Sequence, residues 1–263
     1  MNSILITGAC GGMGYSACEL FTSLGYRVYG IDVCDSRNVP CHKFFKADIK
    51  DTAAIEDIFN QISTECSELY AIIHMAGVYD LHSLVEINEE RLMRIFEANL
   101  LGVYRINKIF HPLLKNGSRI VITTSELAPL DPLPFTGIYA ITKAALEKYA
   151  YSLRMELALH GISVSIIRPG AVKTGLLSVS MRALDEFCAS TSLYTYNAKR
   201  FKKIVESVES KNIPPAKIAS VAKRALSAKR PKYVYNVNRN PLLRLLNILP
   251  QRLQVKIISM ILK

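Results

Sequence analysis

The chain has no C-x-x-C cysteine pair, no linker rich in Pro, Gly or Ser, no internal repeat and no uninterrupted apolar run long enough to cross a bilayer. Each absence excludes something. Six scattered cysteines (Cys10, Cys18, Cys34, Cys41, Cys66 and Cys188) fit reduced thiols in a cytosolic protein better than a disulfide framework or a zinc site, so no metal is expected. Without a linker, residues 1–263 read as a single domain. Met1-Asn2-Ser3 runs straight into Ile4-Leu5-Ile6, which supplies neither the basic start nor the apolar length of a secretory signal. The most apolar stretch, 241–263, is interrupted by Arg244, Arg252 and Lys256 and broken by Pro250, whereas a spanning helix needs about 20 apolar residues.

Acidic side chains are scarce in one region. Residues 198–263 carry 16 Lys/Arg against Glu206 and Glu209, a net +14, while the other 197 residues hold 17 basic and 20 acidic side chains, a net −3. The overall charge of +11 therefore belongs to the C-terminal quarter. It suits an anionic partner or membrane surface, or equally a solvated helical face. No nucleic-acid partner is expected, because no recognised motif is present and the basic residues lack interleaved stacking aromatics.

What is present is a sizeable apolar fraction, 50% of the chain, in short runs that alternate with helical patterns. Ser3–Thr7, Arg27–Asp32, Tyr70–His74, Arg119–Thr124, Ser163–Arg168 and Tyr233–Val237 read as strands, with Lys43–Phe45 as a further short one. Gly12–Leu24, Thr52–Ser63, Asn88–Leu114, Ile138–Leu159 and Pro215–Ser227 read as helices between them. This alternation predicts an α/β fold with a doubly wound parallel sheet covered on both faces. Residues 175–212 break the rhythm after the sixth strand, on the ligand-binding side of such a sheet, and form a candidate substrate lid or an ordinary surface excursion. Residues 241–263 read as two short amphipathic helices. These could cover the pocket, pack at a subunit interface, lie on an anionic membrane or simply pack on their own domain.

Thr7-Gly8-Ala9-Cys10-Gly11-Gly12-Met13-Gly14 joins the first strand to the first helix. Glycines there let the chain turn tightly and let a pyrophosphate approach the free N–H groups of the helix. Asp32 closes the second strand, where a carboxylate accepts hydrogen bonds from the adenosine ribose and repels a 2′-phosphate. It favours NAD over NADP, although Arg37 nearby keeps NADP as the minority reading. Tyr139 and Lys143 are four residues apart on a predicted helix and so share a face. An ammonium there would lower a phenol whose free pKa is about 10 and make it a usable acid/base. Ser125 follows the apolar strand Ile120-Val121-Ile122.

The residues Thr7–Gly14 resemble the T-G-x-x-x-G-x-G fingerprint of the short-chain dehydrogenases/reductases. Four further matches follow in that family's order. Asp48-Ile49 resembles the acidic-apolar pair that meets the adenine, and Ala76-Gly77 the end of N-N-A-G. Ser125 with Tyr139-x-x-x-Lys143 resembles the catalytic set, and Pro169-Gly170-Ala171-Val172-Lys173-Thr174 the segment that brackets the nicotinamide. The likeness is strong from Ser3 to Thr174 and looser beyond. It implies a Rossmann-type domain in which Thr7, Gly8, Gly12, Met13, Gly14, Asp32, Asp48, Ile49, Ala76, Gly77, Pro169, Gly170, Val172 and Thr174 contact the dinucleotide. It also implies that Ser125 holds the substrate oxygen, that Asn99 holds a water relaying protons, and that Lys143 holds the nicotinamide ribose besides tuning Tyr139. His74-Met75 replaces the family's two asparagines. His74 reads as a structural strand-end residue, and Met75 is expected not to supply the missing hydrogen bonds. The segment from Arg230 to Tyr235 and the tail after it are similar to members that act on hydroxysteroids, retinoids and other lipophilic alcohols.

The resulting expectation is a cytoplasmic oxidoreductase, with membrane association through the tail as a further option. It would move a hydride between NAD(H) and a small-molecule secondary alcohol or ketone of lipophilic character, as a homodimer or homotetramer. The alternative keeps the fold without catalysis: a dinucleotide-binding regulatory protein whose basic tail contacts a membrane or an acidic partner.

Overall fold

The computed structural model describes residues 2–35, 38–208 and 212–263. Seven parallel strands form one sheet: β1 (Ser3–Thr7), β2 (Arg27–Asp32), β3 (Lys43–Lys46), β4 (Leu69–His74), β5 (Leu114–Thr123), β6 (Ser163–Pro169) and β7 (Val234–Val237). Their spatial order is β3-β2-β1-β4-β5-β6-β7. The chain winds outward from β1 in one direction and from β4 in the other, which places the switch point between those two strands. This is the doubly wound, single-domain Rossmann-type fold that the alternating pattern predicts.

The strands are apolar at both parities because both faces are covered. Ile4 and Ile6 pack with Phe21 of α1 (Gly12–Ser23) and Ala222 of α8 (Pro215–Ser227). Leu5 faces the other layer, which includes Ile58 of α2 (Thr52–Glu65), Ile106 of α4 (Gly102–Phe110) and Leu146 of α5 (Gly137–Ala158). A third apolar cluster lies outside the sheet. It joins Leu81 and Phe135 to α6 (Gly175–Ser190), α7 (Thr195–Val208) and the end of α10 (Gln251–Leu262). The stretch 175–212 is therefore mostly two helices with their own small core, and its residues 209–211 lie outside the described residues.

Two elements depart from the expected pattern. The long helix expected from Asn88 to Leu114 is split. α3 (Glu89–Phe96), capped by the Asn88 side chain, gives way to a π-helical turn over Glu97–Leu101 before α4 begins. One extra residue in such a turn re-aims the side chains on either side of it. At the far end β5 starts at Leu114 rather than Arg119. The Ser118 hydroxyl donates to the Leu69 carbonyl across a register shift, so pairing with β4 overrides the helical reading.

His74 ends β4 and is fully buried. Its Nε2 meets Asn107 Oδ1 on α4 at 2.9 Å, and Asn107 Nδ2 donates to the Tyr149 hydroxyl on α5 at 3.1 Å. An amide oxygen opposite Nε2 puts the ring proton there, which leaves Nδ1 without a partner among the described residues. Burial pushes the imidazole pKa down to about 4, so the native ring is neutral. The unfolded ring takes a proton near 6.5, hence the unfolded state binds more protons between those values and stability falls as pH drops through that window. The loss attributable to His74 is about 3 kcal/mol by pH 4. Urea unfolding at pH 7 and 4.5 should show the His74→Asn variant losing that part of the slope. Identical slopes in the two proteins would refute the assignment.

Candidate active site

The ends of the strands bring the motif residues to one edge of the sheet. After β1, Gly8 sits at φ +72°, and a Cβ there would lie 2.5 Å from Ala76 N. A Cβ on Gly14 would lie 2.0 Å from Gly8 O, so the turn closes only without side chains at both positions. Among the described residues no side chain caps α1, and its first intrahelical donor is Tyr15, bonded to Gly11 O at 2.7 Å. The N–H groups of Gly12, Met13 and Gly14 are therefore left for an anion, an arrangement that fits a dinucleotide pyrophosphate. Thr174 leans over this turn, its methyl 2.9 Å from where a Gly12 Cβ would stand.

Asp32 lies beside the same turn. Its Oδ2 accepts from Cys10 N at 2.9 Å and its Oδ1 from Cys34 N at 3.1 Å, which fixes the carboxylate while leaving lone pairs for two hydroxyls. Arg37 lies outside the described residues. Asp48 accepts from Lys50 N at 2.9 Å and is half exposed, whereas the Ile49 side chain is buried against Gly102. Any contact of Ile49 with an adenine would therefore run through its backbone.

Four polar side chains converge between β4, β5 and α5. Lys143 is buried and donates to the Thr123 carbonyl at 3.3 Å, with Nζ 5.7 Å from the centre of the Tyr139 ring. A Cβ on Gly77 would lie 3.3 Å from that Nζ and 3.2 Å from Asn99 Oδ1, so Gly77 makes room for both groups. The Asn99 amide is committed: Oδ1 accepts from Val78 N at 2.8 Å, and Nδ2 donates to Val78 O at 2.9 Å and to the Thr142 hydroxyl at 3.1 Å. Thr142 in turn donates to Tyr139 O at 2.8 Å. The π-helical turn thus delivers Asn99 as a clamp between the β4 loop and the helix that carries Tyr139.

Burial pushes Tyr139 up to about 12, and a hydrogen bond with the Ser125 hydroxyl pulls it the other way. Burial also pushes Lys143 down to about 8. The lowering expected from an ammonium four residues away does not win here, because desolvation acts on both groups at once. Met75 departs from expectation too. Its thioether accepts a hydrogen bond from the Thr123 hydroxyl at 3.0 Å, so it ties β4 to β5 after all.

These groups open on a cavity of about 510 Å³. Met13, Ala76, Gly77, Ser125, Tyr139 and Lys143 form its floor, and Pro169, Gly170, Val172 and Thr174 line it as well. Several of its walls were not singled out from the sequence. Tyr79 packs against Tyr139 with ring centres 4.8 Å apart and the planes tilted by 49°. Glu126 is buried beside Ser125, with Oε2 accepting from Asn240 N at 2.6 Å. Leu243 and Leu246 of α9 (Pro241–Ile248) and Ile258 of α10 close the cavity from above. A carboxylate next to a motif serine was a visible signal; the rest depends on the fold. α5 itself is braced by the buried Glu147–Arg168 pair at 2.5 Å, to which the Thr124 hydroxyl adds a bond at 2.9 Å.

Comparison with known proteins places the chain in a family. A family-wide profile described as short chain dehydrogenase matches residues 2–184. The chain is 26% identical to a 3-ketodihydrosphingosine reductase of Bacteroides thetaiotaomicron, over 88% of this chain and 85% of that one. It is also 26% identical to the NADPH-dependent 1-acyldihydroxyacetone phosphate reductase of Schizosaccharomyces pombe, over 70% and 64% of the two chains. The crystal structure of a short-chain dehydrogenase from Streptomyces avermitilis superimposes with a TM-score of 0.75 at 21% identity, over 90% of this chain and 88% of that one. The protein belongs to the short chain dehydrogenase family, and with it to the NAD(P)-dependent oxidoreductases that act on alcohol and ketone groups.

Proposed function

We propose that the protein reduces a lipophilic ketone to a secondary alcohol, or runs the reverse reaction, with Tyr139 as the proton-transfer residue and NAD(H) as the preferred cofactor. The observation that carries this reading is the convergence of Tyr139, Ser125 and Lys143 on a mostly apolar cavity beside an uncapped, glycine-lined helix start. When bound, the nicotinamide gives or takes the hydride. Gly8, Gly12, Met13 and Gly14 would hold the pyrophosphate, Asp32 the adenosine ribose, and Lys143 the nicotinamide ribose. Thr7 supports the turn, its hydroxyl accepting from Ala76 N at 3.4 Å. Ser125 orients the substrate oxygen toward the phenol. Asn99 positions Val78 and, through Thr142, the start of α5; a relay water would sit on its main-chain carbonyl, since its amide is taken.

A phenol pushed up to about 12 keeps its proton across the neutral range, which suits donation to a carbonyl oxygen when the reaction runs as ketone reduction. Lys143 keeps its charge below about 8 and loses it as pH rises through that value. The rate of ketone reduction should therefore be level from pH 6 to 7.5 and fall above 8. A rate that keeps climbing past pH 8 contradicts this assignment. Tyr139→Phe should lower kcat by about 10²–10⁴-fold while leaving the affinity for reduced cofactor unchanged. Residual turnover within threefold of the parent would remove Tyr139 from the proton path.

The preference for NAD rests on Asp32. Lys46, whose charge reaches the neighbouring Cys34, is paired with Asp35 at 3.2 Å in an exposed ion pair. The reductase of Schizosaccharomyces pombe, named as NADPH-dependent, is the counter-indication. Fluorescence titration should give NADH at least tenfold tighter binding than NADPH, and Asp32→Ala should narrow the gap. Equal affinity in the parent protein would reverse the preference.

A lipophilic substrate is supported by the leucine and isoleucine walls from α9 and α10 and by the named substrate of the Bacteroides reductase. We assign α6 and α7 to a lid. Phe201, Ile204 and Val205 of α7 line the cavity, and Glu86 clasps the α6–α7 turn by accepting from Thr191, Ser192 and Leu193. Exposed Tyr151 and Met155 along α5 support a homo-oligomer, and six scattered cysteines without a C-x-x-C pair support a reducing, cytoplasmic setting.

A further inference from the structure

α9 and α10 have an inner face anchored to the domain and an outer face open to solvent. The inner face is tied down by polar anchors. Asn240 N bonds Glu126, Asn247 Oδ1 accepts from Asp131 N at 2.6 Å, Gln254 Nε2 donates to Asp131 Oδ2 at 3.1 Å, and Asn197 of α7 donates to Leu262 O at 2.8 Å. Between these anchors Leu243, Leu246 and Ile258 face the cavity.

The outer face is apolar and bare. Ile248 is 78% exposed and Val255 66%, with Leu245, Leu253 and Met260 also open. Packing on the parent domain accounts for the inner face and leaves this one unused. Arg252 and Lys256, spaced i and i+4, run along one stripe of α10, with Lys263 just past its end and Leu253, Val255 and Met260 beside the stripe. Arg244 adds a charge on α9. Residues 241–263 contain no Asp or Glu. Short helices with an apolar surface and only cationic charges are built to lie in an anionic interface. A second copy of the chain is a poor occupant, because apposing two such faces would bring like charges together with no acid to offset them. No described helix is long and apolar enough to cross a membrane.

The same helices form the lip of the cavity. Leu242 and Ile261 line it and are also open to the outside, 61% and 43% exposed. A surface bound by the outer face is thus continuous with the cavity wall. We propose that α9 and α10 dock the protein on an anionic lipid bilayer with the mouth of the catalytic cavity against the lipid, so that an apolar ketone passes from the membrane to Tyr139 without crossing water. The route for the ketone rests on reading the cavity as the substrate site; the docking itself does not.

The chain contains no tryptophan, so one introduced residue is a unique reporter. Ile248→Trp would place it on the outer face of α9, and Leu24→Trp at the far end of α1, on the opposite edge of the sheet. Vesicles of phosphatidylglycerol and phosphatidylcholine, 1:1, should blue-shift the Ile248→Trp emission, and brominated acyl chains should quench it. The Leu24→Trp emission should not respond. Pure phosphatidylcholine or 0.5 M KCl should weaken sedimentation with vesicles, and Arg252→Glu/Lys256→Glu should weaken it by at least about tenfold. That double variant should keep the parent's turnover of a short water-soluble ketone, which shows that it folds. Failure of the parent chain to sediment with anionic vesicles overturns the proposal. So does an Ile248→Trp emission that shifts with protein concentration in lipid-free buffer, which would identify a second copy as the occupant. Neither measurement uses substrate or cofactor, so loss of docking and loss of the oxidoreductase reading are separable results.

Discussion

An ammonium group taken out of water and given one carbonyl as its hydrogen-bond partner is an expensive thing to fold around. Lys143 is in that position, buried on α5 with the Thr123 carbonyl at 3.3 Å as its partner among the described residues. Much of the site follows from that constraint. Gly77 lacks a side chain where Nζ must pass, Asn99 is clamped in place next to it, and α5 is pinned to β6 by Glu147 and Arg168 so that the group cannot swing out to water. A buried cation short of partners favours whatever brings it hydroxyl oxygens or a phenolate. On the function proposed above, the cost of its burial in the free protein would be turned into affinity and orientation in the bound one.

The parts of this design that could be read from the sequence are those that lie within one strand–turn–helix unit. Glycines at 8, 12 and 14 follow β1 directly, and the spacing of Tyr139 and Lys143 is a property of a single helix. The alternation of short apolar runs with helical patterns was enough to predict a doubly wound parallel sheet, though not the order of its strands. What escaped notice depends on partners far away in the chain. The π-helical turn exists because Asn99 must reach Val78 and Thr142, 21 and 43 residues distant. The bond from Thr123 to Met75 gives a thioether a task that its residue type does not advertise. The balance between desolvation and attraction at Tyr139 could not be judged without knowing how deeply both groups sit.

The tail shows a different limit. Its amphipathic pattern was legible, but not which side would face the cavity, because the orientation is set by single polar anchors on Glu126 and Asp131 rather than by the apolar residues themselves. Apolar side chains occupy both sides of α9 and α10, so hydrophobic periodicity assigns neither.

Glu126 carries one more implication. It immediately follows Ser125, and the same carboxylate holds the first residue ahead of α9. Chemistry and shape selection are therefore drawn from distant stretches of chain that meet at one side chain. The stretch from residue 241 onward could diverge freely in length and bulk, remoulding the roof of the chamber, while the machinery beneath keeps its proton-handling geometry. A scaffold jointed in this way can acquire new specificities by rewriting a covering of 23 residues.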